Sequence, residues 1–379
     1  MKVTRAFSTS NQAATVVYNS LATIKRSLCH LGAIALIGLA AGCATHSKSS
    51  GPKYNFFPPP PDAPHLQFLT AFSSEKDLRE GKGEGLMNFI TGEAPPELPI
   101  GKPYGAAISK KKIYICDTGG RLLKADLDSR RISTIDTRGP GALKLPLNLV
   151  VDSDGTMYVV DSIRNQVVIF DANEGFIAAV CDKDTMRPRD VAVGPDKFYV
   201  ADIANHKVHV YDKASRALLF DIPRPEEATN DETRLFMPTN LALDSQGRLY
   251  VSDTGAFRVQ VYGADGKHLR TVGRYGDNYG EFARPKGVAV DRDNRLYAVD
   301  AAAQVVQIFD DQGRLLMWFG EPKASKVGLE LPSKVLVDYD HVALFQKYAA
   351  PDFQLEHLVI VISQFGKREV SVFGFGHKK

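Results

Sequence analysis

Several features on which familiar functions depend are scarce or missing in this chain. It has four cysteines in 379 residues, and none lies in a Cys-x-x-Cys-His motif, which excludes covalent haem. Nine histidines are present. His30, His46, His65 and His377 lie toward the ends, His206 and His209 fall in one short apolar segment, and His268, His341 and His357 stand apart. No three of them share ligand spacing, which argues against histidine-bound zinc. No Gly-x-Ser-x-Gly elbow, phosphate loop or Gly-x-Gly-x-x-Gly opening a helix occurs. The net charge is only +3. Without a clustered basic footprint this gives no support for nucleic acid as a partner. No apolar run reaches the roughly 20 residues of a membrane span.

What is present begins with an export-like N-terminus. Lys2, Arg5, Lys25 and Arg26 precede the apolar run 31–41, which ends at Gly42-Cys43. A basic region, a short apolar core and small residues before a processing point describe an export signal. Leu39-Ala-Ala-Gly-Cys43 resembles a bacterial lipoprotein signal, although the Leu sits one residue further out than in the commonest form. The resemblance implies cleavage after residue 42 and acylation of Cys43. The chain then divides into a signal at 1–42, a lipid-anchored proline-rich tether at 43–64 and a folded domain at 65–379. Pro58 to Pro61 favour an extended polyproline stalk in that tether. Ala44 after the acylated cysteine points to outer-membrane delivery. Cys116 and Cys181, in different repeat units, are expected as unpaired, mostly buried thiols.

The domain repeats. A Pro followed by two residues and an aliphatic run recurs at Pro103, Pro146, Pro188, Pro238, Pro285 and Pro332, spaced 43, 42, 50, 47 and 47 residues apart. In the first five units a strand ending in Asp follows, at Asp117, Asp161, Asp202, Asp253 and Asp300; Ser363 stands in that place in the sixth. The runs are short, rich in β-branched and aromatic residues and bounded by Asp, Asn and Gly, so each unit predicts a four-stranded meander. Recurrence at this period predicts radial repetition. The sixth unit lacks a fourth strand at the C-terminus, and the stretch starting His65-Leu-Gln-Phe-Leu supplies one. The expected fold is all-β: a six-bladed β-propeller of four-stranded antiparallel blades, closed by an N-terminal strand completing the last blade. Segments 285–300 and 202–212 resemble the NHL-repeat family of six-bladed propellers. That resemblance covers nearly all of residues 65–376 and specifies fold more than function.

Two sets of residues at one mouth of the ring are candidate sites. Arg121, Arg164, Arg189, Lys207, Arg258, Lys286 and Lys334 predict a basic face for a polyanion or an acidic partner. For the four that follow a strand-terminal Asp, pairing with that carboxylate or a neighbouring blade's is the alternative, and the favoured one. Asn148, Asp190 and Asn240 stand two residues after the proline in three consecutive units. Their oxygens suit a hard cation such as Ca²⁺. The arrangement is similar to lactonase-type propellers, which hold a catalytic metal this way. Here no Glu accompanies them, and Gly105, Gly287 and Lys334 take the equivalent places. Satisfaction of local backbone by Asn and Asp is the alternative. The insertion at 339–356 predicts a short helix with Val342, Phe345 and Ala349 on one face. It serves either as a partner contact or as a plug across the opposite mouth.

The leading expectation is a membrane-anchored, non-enzymatic envelope scaffold that presents one propeller face to a protein or polysaccharide. No cofactor is expected on that reading. The competing expectation is a Ca²⁺-dependent lactonase-like hydrolase or lyase at the channel mouth.

Overall fold

The computed structural model describes residues 54–79, 98–322 and 327–379. The signal, Cys43 and the first half of the tether, up to residue 53, lie outside the described residues. No described helix is long and apolar enough to cross a membrane.

The repeat units fold into six antiparallel sheets. Their first strands are Pro103–Ser109, Pro146–Val151, Pro188–Val193, Pro238–Leu243, Pro285–Val290 and Pro332–Asp338. Neighbouring first strands touch all the way round, the sixth meeting the first, so these strands surround the axis of a closed ring. The second and third strands are almost wholly buried, whereas outer strands such as His268–Val272 and Leu315–Phe319 alternate between half-buried and exposed. That gradient follows from apolar side chains on both faces of each inner strand, since both faces meet a neighbouring blade. The buried core accordingly forms six clusters, each filling the seam between two consecutive blades.

The sixth blade is closed as predicted. Leu66–Phe72 pairs with Val370–Lys378, bringing Leu66 opposite Phe375 and Phe72 opposite Val370. Two details differ from the sequence reading. Asn55–Phe57 adds a fifth strand outside Leu66–Phe72, so Pro58 to Pro61 lie in a hairpin connection rather than an extended stalk. The second strand of this blade also starts earlier, at Phe353.

The insertion forms the helix Val342–Phe345 and a 3-10 turn at Gln346–Tyr348. Phe345 and Ala350 are buried in the seam between blades six and one, with Val342 and Ala349 packed against it. His341 Nε2 accepts the Lys111 backbone N–H at 2.8 Å. Gln67, in the closing strand, receives Ala350 N–H at 2.9 Å and donates to the Tyr348 carbonyl. The insertion thus seals a seam between blades.

The strand-terminal aspartates hold the mouth together. Asp161 accepts backbone N–H groups from Lys144 at 2.5 Å, Leu145 at 3.2 Å, Ile163 at 3.1 Å and Arg164 at 3.0 Å. Asp300 does the same with Ala283, Arg284, Ala302 and Ala303. Each carboxylate staples the segment entering its blade to the hairpin leaving the second strand, which satisfies donors that a tight loop otherwise buries. In the sixth blade Ser363 occupies the equivalent register, opposite Pro332. Both described cysteines are free, and burial pushes the Cys116 thiol well up and Cys181 to about 12.

Candidate active site at the channel mouth

Every first strand carries a register shift just after its proline: between Pro103 and Gly105, Pro146 and Asn148, Pro188 and Asp190, Pro238 and Asn240, Pro285 and Val288, and Pro332 and Lys334. A bulge inserts an unpaired residue and re-aims the side chains beside it. The positions one and two residues past each proline, beside these bulges, form two rings of equivalent positions around the axis, the first nearer the point where each strand enters.

The deeper ring is Gly105, Asn148, Asp190, Asn240, Gly287 and Lys334. Asn148, Asp190, Asn240 and Lys334 are buried. Lys334 Nζ lies 2.8 Å from Asp190 Oδ2, in a pair that is 7% and 0% exposed at the side chains. Asp190 belongs to blade three and Lys334 to blade six, opposite one another in a ring of six, so the pair crosses the axis. Asp190 Oδ2 also receives the Leu241 backbone N–H at 3.0 Å and Asn240 Nδ2 at 3.4 Å, while Oδ1 receives Val191 N–H at 2.9 Å. Asn148 Nδ2 donates to the Arg189 carbonyl at 2.9 Å. The Oδ1 atoms of Asn148 and Asn240 are buried and have no hydrogen-bond partner. The glycines make this packing possible. A Cβ at Gly105 would meet Asn148 Oδ1 at 2.3 Å, and one at Gly287 would meet the Lys334 Cα at 2.6 Å.

The structure thus brings Asn148, Asp190 and Asn240 together as the spacing predicted, but these residues do not fit a divalent cation. Their single carboxylate already has donors on both oxygens, one of them an ammonium. Ca²⁺ is held by six to eight oxygens that usually include several carboxylates, and a buried Lys beside it would add repulsion. Among the described residues no group of three or more Asp, Glu, His or Cys side chains is arranged to hold a metal ion. The sequence shows Lys334 at its ring position but not its partner, which lies 144 residues away.

The shallower ring is Tyr104, Leu147, Arg189, Thr239, Lys286 and Ser333. Burial, opposed by the charge of Arg189, pushes the Tyr104 phenol up to about 12, so it is a donor near neutrality. Burial, with the positive charges of Arg284 and Arg189, brings Lys286 down to about 8.

The predicted basic residues separate into two kinds. Arg121 pairs with Asp117, and Arg258 with Asp253 at 3.6 Å. Lys207 pairs with Asp221 at 3.0 Å. Arg164 donates to the Pro140 and Ala142 carbonyls at 2.8 and 2.9 Å. These four, with Lys334, are satisfied within the ring. Among the described residues, Arg189 and Lys286 have no ion pair or side-chain hydrogen bond.

With this geometry in view, the sequence was compared with known proteins. Residues 102–325, more than half of the chain, match the model of the SMP-30/Gluconolactonase/LRE-like region. The chain belongs to this family. The match overturns the expectation of a non-enzymatic scaffold, because the family is described by a lactonase, and it favours the alternative reading. The NHL resemblance holds at the level of the six-bladed propeller. Among solved structures, a protein of unknown function from Bacteroides thetaiotaomicron is similar at 14% identity, with 82% of this chain and 75% of that one covered and a TM-score of 0.54. A gluconolactonase from Xanthomonas campestris is similar at 16% identity, 83% and 90% coverage and a TM-score of 0.51. A streptogramin B lyase is similar at 14% identity, 73% and 84% coverage and a TM-score of 0.51. At these identities the likeness is one of fold. Comparison with curated proteins finds no match.

Proposed function

We propose that the chain is a lactonase-like hydrolase whose site is the channel mouth around Asp190 and Lys334. The observation that carries this reading is the family match over 102–325, which includes the strands supplying Asn148, Asp190 and Asn240. The buried, unpartnered Oδ1 atoms of Asn148 and Asn240 support it, since they are acceptors awaiting a hydroxylated ligand. Lys334 keeps two donor hydrogens beyond the one directed at Asp190. In a buried site such a donor stabilises the oxyanion that forms when water attacks a lactone carbonyl, because it needs no reorganisation as charge develops. Asp190 holds the ammonium on the axis. The test is hydrolysis of glucono-1,5-lactone and dihydrocoumarin followed by acid release. Hydrolysis is expected above the buffer rate, with a loss of about 100-fold or more in a folded Lys334→Met variant. A folded wild-type protein that opens neither of these lactones nor saccharic acid 1,4-lactone would refute the assignment.

We further read the enzyme as an exported lipoprotein, on the strength of Leu39-Ala-Ala-Gly-Cys43 alone. Cys43→Ala is expected to move the protein from the membrane fraction to the soluble fraction. Unchanged partitioning would overturn the anchor.

A further inference from the structure

We infer that the mouth is an anion site, formed by Arg189, Lys286, Arg284 and Tyr104, and that the substrate is a lactone bearing a carboxylate. This rests on the lactonase reading and names its substrate class. Three observations support it.

The first is an unbalanced charge. Among the described residues, Arg189, Arg284 and Lys286 form no ion pair, hydrogen bond or ring contact through their side chains, although most other cations at this face have one. Arg189 and Lys286 are half-buried. Like charges gathered in a partly desolvated place cost free energy, and such arrangements are found where a ligand supplies the opposite charge. The only carboxylate in the two mouth rings is Asp190, and Lys334 already neutralises it.

The second is convergence. Tyr104 belongs to blade one, Arg189 to blade three, and Arg284 and Lys286 to blade five. The charges of Arg189 and Arg284 both act on Tyr104, and both act on Lys286. The Asp190–Lys334 contact at 2.8 Å across the axis shows that the ring is narrow enough for long side chains of non-adjacent blades to meet over it. A bulge of the ladder lies beside Tyr104, Arg189 and Lys286 alike, and a bulge re-aims the side chains next to it.

The third is position. The cations lie one residue before the ring that holds Lys334 and the two unpartnered Asn oxygens. A ligand whose carboxylate meets the outer cations therefore places its remaining atoms toward the inner donors and acceptors. Guanidinium groups and a phenol suit a carboxylate, since they offer directed N–H and O–H donors.

The experiment compares saccharic acid 1,4-lactone, which carries a carboxylate, with neutral glucono-1,5-lactone. Binding is measured calorimetrically on the purified full chain and hydrolysis by acid release. The acid lactone is expected to bind at least about tenfold more tightly at low salt, with the difference shrinking as salt is raised. Arg189→Gln and Lys286→Gln should each weaken acid-lactone binding about tenfold and neutral-lactone binding by a clearly smaller factor. At pH 8, acid-lactone binding to wild type should take up about half a proton, as Lys286 becomes fully charged, and Lys286→Gln should abolish that uptake. Equal affinity for the two lactones, or variants that weaken both alike, would overturn the anion site. Hydrolysis of the neutral lactone without preferential binding of the acid one would overturn the anion site and leave the lactonase intact. Tight, Arg189-dependent binding of the acid lactone with neither lactone opened would uphold the anion site and overturn the lactonase.

Discussion

Two kinds of buried carboxylate lie a few residues apart in this ring. Asp117, Asp161, Asp202, Asp253 and Asp300 repeat once in each of the first five blades and are held largely by backbone N–H groups of their own blade. Asp190 occurs once, and its strongest partner is an ammonium from the far side of the axis. The repeated ones solve a problem that each blade has, namely how to bury a tight loop without orphaning its donors. The single one belongs to no blade's local needs. Repetition marks scaffold here, and a charge found in one blade alone marks the site.

The largest test of that contrast is removal of the cross-axis partner. Lys334→Met leaves Asp190 buried and uncompensated, at an expected cost of roughly 3–5 kcal/mol measured by urea denaturation. Asp190→Asn combined with Lys334→Met should recover much of this, because no charge is then stranded; a double variant as unstable as Lys334→Met would show that the pair is not the cause. Asp161→Ala should cost about 3 kcal/mol by orphaning backbone donors, while leaving affinity for saccharic acid 1,4-lactone unchanged. Loss of affinity on that substitution would erase the distinction between scaffold and site. Lys334→Glu should do the reverse of harm to cation binding. With Asp190 and two Asn oxygens it creates a hard-oxygen set, so Ca²⁺ at 100 times its Kd is expected to raise the variant's stability by about 2.7 kcal/mol and leave wild type unmoved. A wild-type shift with Ca²⁺ would mean that Lys334 yields its place.

The smallest effect concerns Asp202, the one strand-terminal aspartate that also engages a histidine. His209 places Nε2 3.1 Å from Asp202 and Nδ1 2.7 Å from Asp221. Burial works to lower the His209 pKa, but the hydrogen bond to Asp202 and the charge of Asp221 prevail and raise it. A raised folded value means that the stabilisation is fully present below the unfolded pKa of about 6.5 and is lost as pH rises through the folded one. His209→Gln should therefore flatten stability against pH just above 6.5. An unchanged profile would show that the contact is not an ion pair.

Much of the fold was legible because the physics that builds one blade is local. A proline opening each inner strand, an Asp closing the next and turn residues between them recur in register, and the missing sixth outer strand pointed to the N-terminus. The candidate site was half legible. Asn148, Asp190 and Asn240 fell in line by spacing, but Lys334 read as one more surface charge. A contact across the axis leaves no periodic trace; Arg189 and Lys286 stood in the predicted basic face, but the bulge beside each is a feature of backbone pairing rather than residue type. The fifth strand at Asn55–Phe57 was hidden by the prolines beside it, which read as a stalk.

The closing strand Leu66–Phe72 has a consequence for how this molecule comes into being. Its partner, Val370–Lys378, is separated from it by the whole ring. As the chain emerges, five blades can assemble by pairing neighbours, while this N-terminal strand, paired on its outer edge with Asn55–Phe57, keeps its inner edge bare until the final residues arrive. Long-range pairing of this kind is slow to find and exposes a sticky edge meanwhile. Gln67 then hooks the insertion as the strand docks. The ring is fastened last, by its N-terminal strand, and deletion of Leu66–Phe72 or of Val370–Lys378 should leave it open.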